Sequence, residues 1–181
     1  MAIDWSILDG IQNVMRCPFL DWLMPIITFL GNSGLIWIIL GCCLLITKKY
    51  RKTGIFILVG QLMSLLIGNL WLKNLIARPR PCWQIDSWSA LIAMPKDFSF
   101  PSGHTYASFI AVTILMFENR KLAIPAFVLA SLIAFSRLYL YVHFPSDILG
   151  GIIMGVAIGV FVELVGNRVV RLVQSKKQSQ L

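Results

Sequence analysis

Charge is scarce in this chain. Only 13% of its 181 residues are charged, about half the ~25% usual in a soluble domain, while 57% are hydrophobic. That composition leaves too little polar surface to cover a water-soluble particle, and it excludes the soluble class. Short alternating segments are missing too. The apolar runs are continuous, which excludes a transmembrane β-barrel and favours helices. No internal repeat is visible, and polar residues gather at the ends of apolar runs, which weighs against a transporter. Cys17, Cys42, Cys43 and Cys82 form no Cys-x-x-Cys or Cys/His zinc spacing, so they read as free thiols. The N-terminus lacks a basic head and a small-residue cleavage site, so no cleavable signal peptide is expected. Histidine occurs only twice, as His104 and His143.

What is present is a series of apolar stretches. Ile3, Ile7, Ile11 and Met15 stand four apart, a stripe that predicts an amphipathic helix in the membrane interface. Residues 18–32 and 35–47 are apolar but short, broken by Asp21, Pro25 and the run Gly31-Asn32-Ser33-Gly34. Neither reaches the ~20 residues of a spanning helix, so they predict either one broken span or two. Stronger spans are predicted over 53–72, 104–118, 122–142 and 147–167. The expected fold is all-α: a polytopic membrane helix bundle of five to six transmembrane helices with an N-terminal amphipathic helix. Residues 1–17 are the interfacial segment, 18–173 the transmembrane domain and 174–181 a polar cytoplasmic tail, disordered at its end.

The net charge is +8. No basic patch stands on a soluble domain, so a nucleic-acid partner is not expected. Basic clusters at 48–52, 120–121 and 168–177 fall at alternate ends of the spans and can all be cytoplasmic together. The other face then holds Lys73, Arg78, Arg80, Lys96 and Arg137, cations that topology does not explain. His104, His143 and Asp147 fall on that same outer face. Gly151, Gly155 and Gly159 recur every fourth residue, which reads as close packing within the bundle ahead of a dimer face. Trp71, Trp83 and Trp88 read as interfacial belt residues.

The chemistry concentrates in FSFPSGHTYASF, residues 98–109. Ser102 reads as a helix N-cap, Gly103 lets an anion approach the backbone, and the first helical turn offers unpaired N–H groups to a phosphate. Lys73, Arg80 and Arg137 are cations that can grip phosphate oxygens, the arginines bidentately. Asp147 follows His143 by four residues, one face of a helix if the turn is helical. A carboxylate on one ring nitrogen leaves the other free to attack. His143 is therefore the candidate nucleophile, Asp147 its orienter and His104 the candidate general acid. Two histidines and eight acidic residues without an outer acidic cluster predict metal-independent chemistry and no cofactor.

The segments KNLIARPRP, PSGH and SRLYLYVHFPSD together resemble the signature of the type 2 phosphatidic acid phosphatase superfamily, over residues 53–167. The resemblance implies a membrane lipid phosphatase working through a phosphohistidine, with His143, His104 and Asp147 catalytic. It implies phosphate binding by Lys73, Arg80, Ser102, Gly103 and Arg137. The small size looks most like bacterial undecaprenyl-diphosphate phosphatases, in the inner membrane with the site facing out. Phosphatidylglycerophosphate, phosphatidic acid and lipid A phosphates are the alternative substrates. Vanadate haloperoxidases share the constellation but are soluble. A transporter or membrane scaffold is the non-enzyme alternative.

Overall fold

A computed structural model describes residues 2–85 and 89–178, without the side chain of Lys177. Trp88 and residues 179–181 of the expected tail lie outside the described residues. The chain folds as α1 (Ala2–Met15), α2 (Pro18–Leu30), α3 (Leu35–Ile46), α4 (Arg51–Met63), α5 (Lys73–Ile76), α6 (Gly103–Glu118), α7 (Arg120–Tyr139) and α8 (Pro145–Gln178). A π-helical stretch, Ser64–Leu72, joins α4 to α5 in one continuous helix. Its Gly68 lies against Tyr106, where a Cβ would come within 2.4 Å of the phenol ring.

Local sequence sets the helix ends. Asn119 caps α7 by accepting from the backbone N–H of Lys121 and Leu122. α8 starts with Pro145 in its first turn, where a missing N–H costs nothing. Asp147 reaches back from that turn to accept the Phe144 N–H at 2.8 Å, as an acidic residue at the third helical position does in a capping box. Ser102 precedes α6 in extended geometry but makes no side-chain cap. Its Oγ instead accepts from the Thr105 hydroxyl at 2.9 Å.

α6 is the centre of the bundle, with every residue from Thr105 to Leu115 buried. A helix apolar all round must be enclosed. α8 lies along it, and the glycine repeat is the seam. A Cβ on Gly151 would meet Thr105, one on Gly155 would meet Phe109, and one on Gly159 would meet Thr113, all within 2.9 Å. The partners advance four residues with each glycine, so α6 and α8 run parallel and begin at the same end. The packing reading of the repeat fits this geometry.

By length and hydropathy, three helices among the described residues can cross a membrane: Arg51–Ile76, Arg120–Tyr139 and Pro145–Lys176. Pro18–Leu30 and Asn32–Ile46 make a fourth if their 44° bend is one broken span. The bend arises where Ser33 (φ 52) and Gly34 (φ 70) take left-handed geometry. The count of three to four falls below the expected five to six because α6 has only 16 residues. α8 also runs well past the expected 167, and the start of the expected tail is helical. In α1, Ile3, Ile7 and Met15 are exposed while Asp4 and Leu8 are buried. Leu8 packs with Tyr141 and Phe144, so one face of α1 docks on the α7–α8 connection.

Candidate active site

α5, α6, α7 and α8 end or begin at the same end of the bundle, and the described parts of the connection between α5 and α6, residues 77–85 and 89–102, lie against it. His143 sits in the bend before α8, which is not helical there, so the expected shared helical face is corrected. The contact with Asp147 comes instead from the tight bend: Nδ1 lies 3.4 Å from Asp147 Oδ2. On the other side, Arg80 Nη1 donates to His143 Nε2 at 3.0 Å. An acceptor at Nε2 requires the proton at Nδ1, so the lone pair is at Nε2. His143 is 1% exposed and Asp147 fully buried. Burial first, then Arg80, Arg137 and Lys73, holds the His143 imidazole well below its ordinary pKa, so it stays neutral.

A cavity of about 340 Å³ is lined by Lys73, Arg80, Arg137, His104 and His143, with Asp97, Thr28 and Asn32. Arg80 is anchored through the Val142 carbonyl (2.7 Å), the Asp97 carbonyl (2.6 Å) and Asp97 Oδ1 (2.8 Å). Arg137 donates through Nη1 to Thr28 at 2.5 Å, and its buried Nε has no partner among the described residues. Lys73 pairs with the other oxygen of Asp97. Burial opposes ionisation of Asp97, but the hydrogen bond and charge of Lys73, then Arg80, outweigh it and hold the carboxyl at about 2. Asp97 thus places an anion where two of the cations converge. His104 Nε2–H donates to Asn32 Oδ1 at 2.9 Å. A Cβ on Gly31 would come within 2.7 Å of the His104 ring, so that glycine is what lets the ring and Asn32 meet.

This is a cationic, partly enclosed pocket with one oriented imidazole and a second facing it, an arrangement able to bind a phosphate and attack its phosphorus. The PAP2 superfamily model matches residues 54–171. The chain belongs to the PAP2 superfamily. Among its relatives is the undecaprenyl-diphosphatase of Sulfolobus acidocaldarius, 32% identical over 79% of this chain and 69% of that one. Another is phosphatidylglycerophosphatase B of Bacillus subtilis, 33% identical over 78% of this chain and 73% of the relative. The crystal structure of a transmembrane PAP2-type phosphatidylglycerolphosphate phosphatase from Bacillus subtilis superimposes with a TM-score of 0.75 at 29% identity, covering 92% of this chain and 86% of that one.

The PAP2 motif residues are not equally placed. His143, His104, Lys73, Arg80 and Arg137 line the cavity, whereas Ser102 is fully buried beside it. Gly103 faces a second cavity of about 850 Å³, which shares Lys73, Asp97, Asn32 and His104 with the first. A side chain at Gly103 would crowd Asn69 Oδ1 at 3.2 Å and touch Lys73 Nζ at 3.6 Å. Sequence reasoning missed Asp97, Asn32, Thr28 and Ser99. Ser99 donates to Asp147 Oδ2 and its oxygen accepts the His143 Nδ1–H at 3.4 Å, so it links the carboxylate to the histidine. Asn32 had a signal, a polar amide between two glycines in an apolar stretch; Thr28 and Ser99 had none.

Proposed function

We propose that the protein hydrolyses a lipid diphosphate, undecaprenyl diphosphate to undecaprenyl phosphate, through a phosphohistidine on His143. The observation that carries this reading is the His143 Nε2 lone pair, backed by Asp147 at Nδ1, in one cavity with Lys73, Arg80, Arg137 and His104. The three cations and the N–H groups at Gly103 and His104 hold the terminal phosphate, with Ser102 setting the start of that helix. A phosphate oxygen takes over Arg80 Nη1 from His143 Nε2, and the freed lone pair attacks the terminal phosphorus while the bridging P–O bond breaks. His104 as the imidazolium, its Nε2–H held by Asn32, gives its Nδ1 proton to the leaving oxygen, and undecaprenyl phosphate departs. Water then attacks the phosphohistidine, His104 takes its proton, the N–P bond breaks, and orthophosphate leaves.

The second cavity supports a lipid substrate. It is lined by Ile38, Leu58, Leu62 and Leu65 together with Gln61, Ser64 and Asn69 and reaches Lys73 and His104, an apolar wall for a tail that joins the cationic site for a head group. We read α2–α3 as one broken span and α6 as a crossing helix, giving five spans with α1 on the outer surface. The basic clusters then face the cytoplasm of an inner membrane, and the site faces out.

Phosphate release by the purified chain from undecaprenyl diphosphate, phosphatidylglycerophosphate, phosphatidic acid and lipid A phosphates tests the substrate. The highest kcat/KM is expected for the polyprenyl diphosphate; a higher value for a glycerophospholipid reassigns it. The reaction needs no metal in this reading, because charge neutralisation falls to Lys73, Arg80 and Arg137. Chelator is expected to leave turnover unchanged. Loss restored by magnesium or zinc overturns that part.

A further inference from the structure

Arg78 has no motif position, and the reaction above does not use it. Its side chain is 18% exposed, and it lines neither cavity. Nη1 donates to Asp147 Oδ1 at 2.5 Å and to Ser146 Oγ at 2.7 Å. Nη2 donates to Asp4 Oδ2 at 2.8 Å, and the guanidinium lies 4.2 Å from the centre of the Phe144 ring. Asp4 also accepts the Ser146 N–H at 3.0 Å and the Ser146 hydroxyl at 2.7 Å. The order is continuous: His143, Asp147, Arg78, Asp4. It runs from the cavity out to α1.

Asp147 is fully buried. A carboxylate taken out of water needs a paired cation. The cavity cations cannot supply it, since Lys73 and Arg80 pair with Asp97 and Arg137 bonds Thr28. Arg78 does, and it engages only Oδ1. Oδ2 is left for the Phe144 N–H, the Ser99 hydroxyl and the His143 ring. A planar guanidinium gripped on one edge by Asp4 and on the other by Asp147 has little freedom to rotate.

We propose that Arg78, held by Asp4, is a positioning residue for the nucleophile, fixing the Asp147 carboxylate so that its second oxygen sets the tautomer and direction of the His143 ring. α1 thereby becomes part of the machinery that aims the imidazole. The proposal rests on His143 being the nucleophile.

The test uses the full chain in detergent with undecaprenyl diphosphate as probe. Arg78→Met is expected to lower kcat on the order of 10- to 100-fold, as loss of an outer partner does at other histidine sites, with KM unchanged. Arg78→Lys is expected to recover part of the loss. Asp4→Asn is expected to lower kcat less than Arg78→Met and to add nothing in that background. A second readout needs no turnover. The chain has only two histidines, so ¹⁵N-histidine spectra resolve His143, and Arg78→Met is expected to shift its Nδ1–H population. An unchanged kcat, a raised KM with kcat intact, additive losses with Asp4→Asn, or an unchanged His143 spectrum each overturns the proposal. If Arg78→Met does not fold, Asp4→Asn and Arg78→Lys decide by the same two readouts. If His143→Ala still releases phosphate, the nucleophile reading has failed, and the spectrum alone judges the positioning claim.

Discussion

The two ends of the long helix Arg51–Ile76 carry polar clusters of opposite character. At one end, Lys73 joins Arg80 and Arg137 around an open cavity, with the half-exposed Asp97 as the anion among them. At the other, Lys52 Nζ pairs with Glu118 at 2.6 Å and donates to Asn167 at 3.0 Å, and Asn167 donates to Glu163 at 3.0 Å. Besides the Tyr106 hydroxyl, the buried polar atoms without a hydrogen-bond partner among the described residues are a donor, Arg137 Nε, at the first end and Glu163 Oε1 at the second. The first end has cation to spare and room for a ligand. The second is two carboxylates and an amide closed around one ammonium, an arrangement that ties α4, α6 and α8 together. The lesson is that burial and charge do not by themselves make a ligand pocket. A surplus of one sign, facing space, does.

The sharpest way to break this contrast is His143→Ala, which is expected to cut phosphate release on the order of 10⁴-fold or more while the chain stays folded in detergent, with a lower unfolding midpoint because the buried ring and its Arg80 bond are lost. Full activity removes His143 from the mechanism. The pH profile comes next. An imidazolium has no lone pair, so the nucleophile is lost as pH falls through its own pKa. Burial and the neighbouring cations hold that pKa well below 6.5. The acid limb of kcat/KM, which reports the free enzyme, is therefore expected below pH 6.5, and a limb at or above that value contradicts the neutral-site picture.

Asp97→Asn gives a smaller effect of revealing sign. Removing the anion that Lys73 and Arg80 hold in the free protein is expected to tighten vanadate or phosphate inhibition about fivefold, the equivalent of the ~1 kcal/mol of a half-exposed pair. Weaker inhibition means that Asp97 builds the pocket instead of competing for it. Lys52→Met, at the closed end, is expected to leave kcat alone and to cost about 1 kcal/mol, since Lys52 is partly exposed, or roughly 2–4 °C in Tm for a chain of this size. A loss of activity with no loss of stability would erase the distinction between the two ends.

The sequence made the motif residues legible because three segments each carry a fixed spacing. It made the apolar helices legible because their runs are long. Asp97 was not legible: it lies outside the fixed spacings, and its meaning comes from how residues 89–102 fold onto Arg80. Asn32 reaches His104 only through the left-handed backbone at Ser33 and Gly34. Asp4 meets Ser146 across 142 residues, a contact no local period encodes. The stripe in α1 showed an apolar side, but the informative face was the one beside it, where Asp4 and Leu8 are buried. Length and hydropathy alone register three to four spans because the 16 residues of α6 fall short of a spanning run.

The glycine seam between α6 and α8 has a further consequence. With only hydrogen on one side of it, the two helices rest on each other's main chains, so the gauge between the His104 end and the Asp147 end is set by rigid backbone. Lipid-facing positions on α8 such as Leu149 and Ile153, both more than half exposed, stand outside that gauge. They are free to drift with the thickness and fluidity of whatever bilayer the organism keeps, and the alignment of the reacting groups does not drift with them.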